Sequence, residues 1–362
     1  WGFLLDTISG VTGLKLTYPQ LALPIGLSFY TFKNLSYILD IYMGKTEPCK
    51  GFFPYAVYST MFPHMTAGPI VRYTDISESI SRRSINTTRL GAGAELFIKG
   101  LSKKVLLADN LSALYTTLQS SGTTSFVGTW LAIGAYTLEL YFDFSGYSDM
   151  AIGLGQMLGF NFNKNFDYPY ISTSVSEFWR RWHISLGSWF RDYIYIPLGG
   201  NRVSTGRHIR NILVVWALTG LWHGASWNFV FWGVYYGLLL LAEKFLLGRF
   251  LEKAPVWLRN LYTMFAVIIG WVFFSQTTPA AIGKMLGSMF GFGASCFADR
   301  ASLYALKSGL ILMIISVISC RPGLYQYFKR LARRNTYLAA VINAILFFLC
   351  IAYMIYSSYT PF

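Results

Sequence analysis

Two histidines, forty residues apart in an apolar and aromatic chain, are the side chains best suited to acid–base chemistry. His223 follows the apolar run 212–222 and precedes a second apolar run at 229–246. An ionisable residue at membrane depth is costly to keep there and is by default a functional candidate. Because histidine can be neutral near pH 7 and accept the proton of a hydroxyl, His223 is a candidate general base. A helix-packing histidine bonded to a neighbouring carbonyl is the alternative, and Gly220 and Gly224 would let a substrate or another helix approach closely.

The second histidine, His183, lies in a segment from 174 to 202 that predicts a helix at the membrane interface. Ser176 is the predicted N-cap, and Pro197 followed by Gly199 and Gly200 is expected to end the segment. Four residues would share one face of a continuous helix here: Phe178, Trp182, Ser185 and Trp189.

Every cation between residues 180 and 210 is an arginine, whose planar fork of donors suits phosphate groups. They are Arg180, Arg181, Arg191, Arg202, Arg207 and Arg210. Two interpretations stay open, attraction to lipid phosphates and a site for the phosphates of an activated acyl donor such as a coenzyme A thioester. His208 lies among these arginines and is expected to be solvated.

For the other polar residues, a structural role is at least as well supported as a functional one. His64, between Pro63 and Gly68, either lines a reaction chamber or stabilises a helix break. Asp143 and Asp149 lie in an aromatic run at membrane depth, where an internal ion pair is the more common explanation. Glu177 is expected to pair with Arg181 at i,i+4.

The composition that surrounds these residues is that of a many-spanning membrane protein. Of 362 residues, 54% are hydrophobic and only 13% are charged, with a mean hydropathy of +0.42. Soluble domains carry about 25% charged residues. The net charge of +14 does not indicate nucleic-acid binding, because the cations lie in short segments between apolar runs, where acidic lipid head groups are the expected partner. The four cysteines and the histidines show no metal-ligand spacing, so no metal is predicted.

Apolar runs predict an all-α, polytopic membrane bundle with interfacial and re-entrant helices, in one domain over residues 1–362. We expect eight to ten membrane segments, among them 21–42, 52–70, 125–142, 212–222, 229–246, 261–274, 303–320 and 338–355. The basic stretches 72–104 and 321–334 are predicted to be cytoplasmic loops or interfacial helices. A start at Trp1, directly in an apolar run, suggests that N-terminal helices precede this sequence.

Six blocks of the sequence carry a resemblance to a known family: 24–30 (PIGLSFY), 62–70 (FPHMTAGPI), 141–150 (YFDFSGYSDM), 179–183 (WRRWH), 191–202 (RDYIYIPLGGNR) and 221–224 (LWHG). In this order they resemble the membrane-bound O-acyltransferase family, and more closely its bacterial branch that modifies polysaccharides by O-acetylation. The resemblance implies that His223 is catalytic and that His183 occupies the family's second polar position. It also implies a multi-pass protein of the bacterial cytoplasmic membrane.

The resemblance further implies acyl transfer from a cytoplasmic thioester, with acetyl-CoA as donor substrate and no bound cofactor. An extracytoplasmic polysaccharide would be the final acceptor, reached through an SGNH-like acetyltransferase partner. His223 would act as general base, His183 would position the acceptor or the thioester carbonyl, and Ser226 or Asn228 would stabilise the oxyanion. The remaining candidate substrate-binding residues are Trp222, His64, Arg180, Arg181, Arg191, Asp192, Tyr193, Asn201 and Arg202. D-alanyl transfer to teichoic acid and a non-catalytic acyl conduit or scaffold for the partner remain as alternatives.

Overall fold

The computed structural model describes residues 2–14, 24–122 and 125–357, and these residues form helices and connecting segments without a β-strand. The helices are α1 (Gly2–Thr12), α2 (Leu27–Tyr42), α3 (Phe52–Thr60), α4 (Tyr73–Ser81), α5 (Thr87–Ser102), α6 (Asp109–Ser120), α7 (Phe126–Met157), α8 (Val175–Arg181), α9 (Ile184–Phe190), α10 (Thr205–His223), α11 (Trp227–Ala242), α12 (Gly248–Lys253), α13 (Val256–Ser275), α14 (Pro279–Met289), α15 (Arg300–Ser319), α16 (Pro322–Arg334) and α17 (Thr336–Tyr356). The all-α prediction is therefore confirmed.

Four helical segments in the described part of the chain are long and apolar enough to cross a membrane: Trp227–Lys253, Val256–Ser275, Arg300–Ser319 and Thr336–Tyr356. They contain the predicted segments 229–246, 261–274, 338–355 and nearly all of 303–320. The predicted segment 125–142 lies in α7, which is 32 residues long and carries three carboxylates, Glu139, Asp143 and Asp149. The predicted segment 52–70 is not one helix, because α3 ends at Thr60 and a 3₁₀ turn follows at Phe62–His64. Residues 21–23 of the first predicted segment lie outside the described residues.

Helices α5 and α7 pack closely along much of their length, and glycine makes this close packing possible. A Cβ added at Gly100 would lie 2.5 Å from the carbonyl oxygen of Gly146. One added at Gly146 would lie 2.8 Å from the carbonyl oxygen of Gly100. Small residues at a helix interface let backbones approach in this way where lipid supplies no hydrophobic driving force.

Ion pairs join the same two helical regions next to the glycines. Lys103 Nζ lies 2.6 Å from Asp149, and Lys104 Nζ lies 2.6 Å from Asp143 and 2.9 Å from Asp109. The predicted internal ion pairs of Asp143 and Asp149 are confirmed. Of the loop and the interfacial helix predicted for 72–104, the structure shows helix over most of the stretch, and Lys103 and Lys104 belong to a continuous helical run packed on α7.

Helices α10 and α11 form a tight hairpin whose connection follows His223. Gly220 faces the carbonyl oxygen of Phe229, which a Cβ would approach to 2.4 Å, and Gly233 faces that of Trp216 at 2.5 Å. Of the two roles predicted for Gly220, close approach of another helix is the one that the structure shows. The hairpin thus places His223 at the end of α10, where α11 begins only four residues later.

The prediction of one continuous helix around His183 is wrong, because the helix is interrupted at residues 182–183, between α8 and α9. The N-cap is Ser174, whose Oγ accepts the backbone N–H of Glu177, and not Ser176. Beyond α9 a π-helical turn spans Arg191–Tyr195, and Gly199 and Gly200 then adopt the left-handed backbone conformation that ends the segment, as predicted.

The second basic stretch forms α16, an exposed helix between the spans α15 and α17. Its cations lie at Lys329, Arg330, Arg333 and Arg334, and its apolar residues include Leu324 and Phe328, both of which are exposed. This two-sided character is typical of an interfacial helix, as the sequence predicted.

A candidate histidine site beside a basic cavity

His183 occupies the break between α8 and α9 in a left-handed backbone conformation, with φ 44°. Such a conformation is uncommon for a residue with a side chain and persists only where the surroundings enforce it. The carbonyl oxygen of Asn165 accepts the backbone N–H of Ile184 at 2.9 Å, and that of His183 accepts the N–H of Gly187 at 3.1 Å. These bonds hold the break in place and bury His183, which is 2% exposed.

The side chain of Asn165 is the polar hub around His183. Its Oδ1 lies 3.1 Å from Nδ1 of His183, 2.9 Å from Oγ of Ser185 and 3.3 Å from the backbone nitrogen of Ser185. Its Nδ2 donates to Oγ of Ser148 on α7 at 3.0 Å. Sequence reasoning missed Asn165, because an asparagine in a polar loop carries no signal of the histidine it will meet.

His223 has a different environment, made of aromatic rings. Its ring centroid lies 4.6 Å from that of Trp222, 4.9 Å from that of Trp232 and 5.1 Å from that of Phe274. The last two rings meet it edge to face. Within the described ranges, no hydrogen bond joins the His223 ring to another residue.

Trp222 lies between the two histidines and links them. Its ring centroid is 6.0 Å from that of His183 and 4.6 Å from that of His223, and it also packs on Phe29 and Phe32 of α2. The Nε1 of Trp222 and the Nε2 of His183 are both buried and have no hydrogen-bond partner in the part of the chain that the structure describes. The two histidines predicted from sequence therefore meet at one place.

A cavity of about 750 Å³ opens beside His183. Its walls come from α8, α9, α10 and the region from Leu240 to Arg259, and they include Trp179, Trp182, Ile212 and Trp216. Four cations also line it: Arg180, Arg191, Lys244 and Arg259. An apolar cleft with a few charged groups is the usual form of a small-molecule site.

The charge of this cavity favours an anionic ligand. Glu243 is one of its two lining carboxylates, and both of its oxygens accept backbone N–H groups, from Val175 at 2.6 Å and Ser176 at 2.9 Å. A carboxylate bound to the N-terminus of α8 in this way is already stabilised by the helix and is less able to neutralise the cations. Arg191 is paired with Asp192, so the three other cations face the two carboxylates, Glu243 and Glu252, and a small excess of positive charge remains along the walls.

Not all of the predicted arginines reach the cavity. Arg180 and Arg191 line it, whereas Arg181 is held by Glu177 at 2.9 Å and by Asp167 at 3.4 Å. The predicted pair of Glu177 and Arg181 is thereby confirmed. Asn201 and Arg202 are exposed on the turn after the π-helical segment and are absent from the cavity lining.

Asp192 and Tyr193 form a network outside the cavity. Asp192 pairs with Arg72 at 2.8 Å and Arg191 at 2.7 Å, and Tyr193 donates to Oδ2 of Asp40 at 2.8 Å. Burial alone would raise the pKa of Asp192, but the hydrogen bonds and charges of Arg191 and Arg72 outweigh it and lower that pKa below its usual value. These contacts tie the π-helical turn to α2 and to the segment before α4.

Three further candidates, Ser226, Asn228 and His64, contact residues outside the cavity lining. The hydroxyl of Ser226 donates to Oδ1 of Asn228, whose Nδ2 donates to the carbonyl oxygen of Phe273 at 3.3 Å. The structure therefore places them at the start of α11, next to the turn that follows His223. His64 is fully buried with its ring edge-on to Phe162 at 4.7 Å, and neither ring nitrogen has a partner among the residues described.

The expectation that His208 is solvated is wrong. It is 6% exposed, its Nε2 lies 2.9 Å from the hydroxyl of Tyr195, and it lines the cavity. The reason is that α10 starts at Thr205, so His208 lies in the first helical turn and packs on the π-helical turn instead of extending into a loop. Residues 2–14, 24–122 and 125–357 contain no cluster of three or more histidines, cysteines or carboxylates able to hold a metal ion.

Comparison with known proteins identifies the family of this chain. A model of the membrane-bound O-acyltransferase family matches residues 49–282, which include Asn165, both histidines and most of the cavity wall. The "Probable alginate O-acetylase AlgI" of Azotobacter vinelandii is 41% identical over 329 residues, which are 90% of this chain and 65% of that protein.

Two further relatives are named for other substrates. The "Peptidoglycan O-acetyltransferase" of Helicobacter pylori is 33% identical over 75% of this chain and 58% of its own length. The "Teichoic acid D-alanyltransferase" of Bacillus subtilis is 25% identical over 61% of this chain and 59% of its own length. The chain thus spans less than two thirds of the length of each of these relatives.

Proposed function

The chain belongs to the membrane-bound O-acyltransferase family, and we propose that it transfers an acyl group, most specifically acetyl, from a thioester to a hydroxyl. The observation that carries this proposal is the position of His183. This histidine, whose Nε2 has no hydrogen-bond partner among the described residues, is one of those around a cavity of about 750 Å³ that also carries four cations. A proton acceptor at the wall of a cationic cavity suits a reaction between a hydroxyl and a phosphate-bearing thioester.

The proposed donor is acetyl-CoA or a similar acyl thioester, a substrate and not a bound cofactor. Its phosphates would lie against Arg180, Arg191, Lys244 and Arg259, because guanidinium and ammonium groups bind phosphate through charge-assisted hydrogen bonds. Its acyl end would reach His183 between the aromatic walls formed by Trp179 and Trp182. The side of the cavity with these cations would face the cytoplasm of a bacterial inner membrane.

The proposed final acceptor is an extracytoplasmic polysaccharide, reached through an SGNH-like acetyltransferase partner. The relatives named for O-acetylation of alginate and peptidoglycan are 41% and 33% identical to this chain, against 25% for the D-alanyltransferase. This order supports O-acetylation over D-alanylation.

The general base is proposed to be one of the two histidines that Trp222 links. The sequence assigns this role to His223, and that assignment stays a prediction. His183 is the alternative, because its Nδ1 lies 3.1 Å from Oδ1 of Asn165, whereas no hydrogen bond joins the His223 ring to another of the described residues.

The experiment that tests this function uses the full-length protein in lipid nanodiscs with radiolabelled acetyl-CoA. Thioester consumption and acyl transfer are measured for wild type, His223→Ala and His183→Ala, each with and without the outer-side partner. Cys296→Ser, at an exposed cysteine far in sequence from both histidines, is the control and should keep wild-type rates. Loss of turnover in the histidine variants alone supports the enzyme, whereas full turnover in both variants would leave a conduit or scaffold for the partner as the function.

A further inference from the structure

Helix α16 separates its charged and apolar residues onto two sides. The stretch 321–334 carries five cations and no carboxylate. Four of these cations are spaced so that they share one side of the helix: Lys329, Arg330, Arg333 and Arg334. Leu324, Phe328 and Leu331 follow the i, i+4, i+7 spacing of the opposite side. Helix α16 therefore has a cationic side and an apolar side.

The charge of the cationic side is not neutralised by carboxylates of the described residues. All four of its cations are exposed, and none of them forms an ion pair within the described ranges. The lysines of the neighbouring α5 region differ, because Lys103 is paired with Asp149 at 2.6 Å and Lys99 with Glu95. Four exposed, unpaired cations on one side of a helix are complementary to an anionic surface.

The helices on either side hold α16 at the membrane surface. Helix α15 ends at Ser319 and α17 begins at Thr336, and both are long and apolar enough to cross a membrane. The 13 residues of α16 measure about 20 Å along the helix axis and are too few to cross. An amphipathic helix in this position lies along the surface, with its apolar side toward the acyl chains and its cations among the head groups.

The order of the spans places α16 on the same side of the membrane as the cationic cavity wall. Arg259, near the start of α13, lines the cavity. Helices α13 and α15 are each long enough to cross, whereas α14 between them has only 11 residues. Two successive crossings return the chain to the side from which it started. None of the α16 residues lines the cavity, so the two cationic surfaces are separate.

Tyr325 connects the cationic side of α16 to α5. Nζ of Lys99 lies 4.8 Å from the ring centroid of Tyr325, and Nζ of Lys329 lies 5.9 Å from the same centroid. Two ammonium groups from different helices thus flank one ring that is 40% exposed. A tyrosine at the lipid–water interface places its apolar ring and its hydroxyl at the level of the head groups. A phosphate bound beside Tyr325 would be within reach of both lysines.

We propose that α16, together with Lys99, forms a docking surface for anionic phospholipid head groups of the leaflet in which it lies. The ligand is a phospholipid with a net negative charge, such as phosphatidylglycerol. Phosphatidylcholine carries the same phosphate, but its choline cation cancels the charge, so it binds more weakly. Each lysine or arginine close to an anionic surface strengthens binding by about fivefold.

The first test compares two lipids that share their acyl chains and differ in head-group charge. Full-length protein in a neutral detergent is titrated with dioleoyl-phosphatidylglycerol or dioleoyl-phosphatidylcholine, and the bound lipids are counted by native mass spectrometry. Wild type should bind the anionic lipid about tenfold more tightly or better. Replacing the four cations of α16 together by glutamine should reduce this preference to about twofold or less, and Lys99→Gln alone should lower it by about fivefold.

The control variant removes the same number of exposed, unpaired cations from other parts of the chain, by replacing Lys50, Arg82, Lys284 and Arg300 with glutamine. It should keep the wild-type preference. Glutamine has nearly the helix propensity of lysine and arginine, so α16 is expected to stay helical in the test variant. An undiminished preference in the α16 variant, or an equal loss in the control, would overturn the proposal.

The second test observes α16 in a bilayer. Amide hydrogen exchange is measured for full-length protein in nanodiscs of phosphatidylcholine alone and of phosphatidylcholine mixed with phosphatidylglycerol. Residues 322–334 of wild type should exchange more slowly when the anionic lipid is present, and those of the α16 glutamine variant should exchange equally in both. Equal exchange in wild type would overturn the lipid assignment and leave the cationic side to an acidic protein partner. Neither test depends on turnover of acetyl-CoA, so a failure of the proposed acyl transfer is distinguishable from a failure of this site.

Discussion

Gly93 and Gly153 face each other across the interface of α5 and α7, and a Cβ on either would lie 2.6 Å from the other's carbonyl oxygen. The relationship is reciprocal, so neither residue can gain a side chain without moving a backbone. Gly100 and Gly146 repeat it seven residues away along both helices. Helix α7 also carries Ser148, whose Oγ accepts a hydrogen bond from Asn165. The packing of α5 on α7 therefore helps to hold Asn165 beside His183.

Substituting Gly93 should therefore be costly, whereas substituting its neighbour Gly91 should not. A Cβ at Gly91 meets nothing within 4 Å, although both residues lie in α5. We expect Gly93→Ala to destabilise the protein by about 1–3 kcal/mol through overpacking. Gly91→Ala should stabilise it by about 0.5–1 kcal/mol, because alanine has fewer backbone conformations than glycine in the unfolded chain.

Thermal unfolding of both variants in the same detergent measures the difference. A melting temperature for Gly93→Ala at or above that of Gly91→Ala would show that α5 and α7 do not pack as closely as the structure places them.

Much of the fold could be predicted from the sequence, because a long apolar run of residues can cross a membrane in very few conformations, chiefly as a helix. The spans near residues 229–246, 261–274, 303–320 and 338–355 follow from length and hydropathy alone. The ion pairs of Asp143 and Asp149 could also be predicted, since a carboxylate at membrane depth needs a cation. Their partners, Lys103 and Lys104, could not be named from the sequence, because a basic stretch predicted to be a loop or an interfacial helix does not show which helix it packs against.

The site could be predicted only in part. His183 and His223 were found because ionisable residues in an apolar segment are conspicuous. The break at His183 was not, because Asn165 captures the backbone N–H groups of Ile184 and Ser185 from a loop that is distant in sequence. The 3.6-residue periodicity of a helix predicts which residues share a face. It does not predict that another segment of the chain will accept hydrogen bonds from the backbone N–H groups of that helix.

Two buried asparagines near the site, Asn165 and Asn211, are expected to respond differently to substitution by aspartate. Asn165 accepts through Oδ1 from three groups, whereas Asn211 donates through Nδ2 to the carbonyl oxygens of Leu198 at 3.0 Å and Gly200 at 3.1 Å. An aspartate keeps the acceptors of Asn165 but turns the donors of Asn211 into lone pairs that face carbonyls. We expect Asn211→Asp to cost about 2–4 kcal/mol and Asn165→Asp distinctly less.

Melting temperatures of the two variants, measured at pH 7 where an aspartate is ionised, provide the comparison. Equal losses would mean that both sites respond to a buried charge alone and not to the direction of the hydrogen bonds.

The network of Asp192 predicts a dependence of stability on pH. Because Arg191 and Arg72 lower the pKa of this carboxyl in the folded protein, its contribution is complete above the ordinary value of about 3.9 and is lost as the pH falls through the lowered value. Asp192→Asn should reduce the melting temperature at pH 7, where the ion pairs with Arg72 and Arg191 are intact. The gap between wild type and variant should close as the pH falls below about 4.

Glu47→Gln, at an exposed carboxylate, serves as the control and should show little difference from wild type across the same range. A constant gap between wild type and Asp192→Asn from pH 7 to pH 3 would contradict a role for the charge of Asp192.

The cavity beside His183 can be filled without disturbing its walls, because Gly187 lines it and lies in α9. A Cβ at Gly187 would meet only the carbonyl oxygen of Trp179, at an ordinary distance of 3.6 Å. The side chain of Gly187→Leu would therefore extend into open cavity space. We expect it to raise the KM or the Kd for acetyl-CoA by about tenfold or more, a loss of about 1.4 kcal/mol, with Gly187→Ala intermediate.

Gly206→Leu is the matched control, since Gly206 also lies in a helix with nothing within 4 Å of an added Cβ and is absent from the cavity lining. Both leucine variants should melt close to wild type, because neither side chain displaces packed atoms. Binding of acetyl-CoA, measured by calorimetry in nanodiscs, then separates them without relying on turnover. If Gly187→Leu binds the thioester as tightly as Gly206→Leu does, the donor does not occupy this cavity, and the cations Arg180, Arg191, Lys244 and Arg259 must serve another anion.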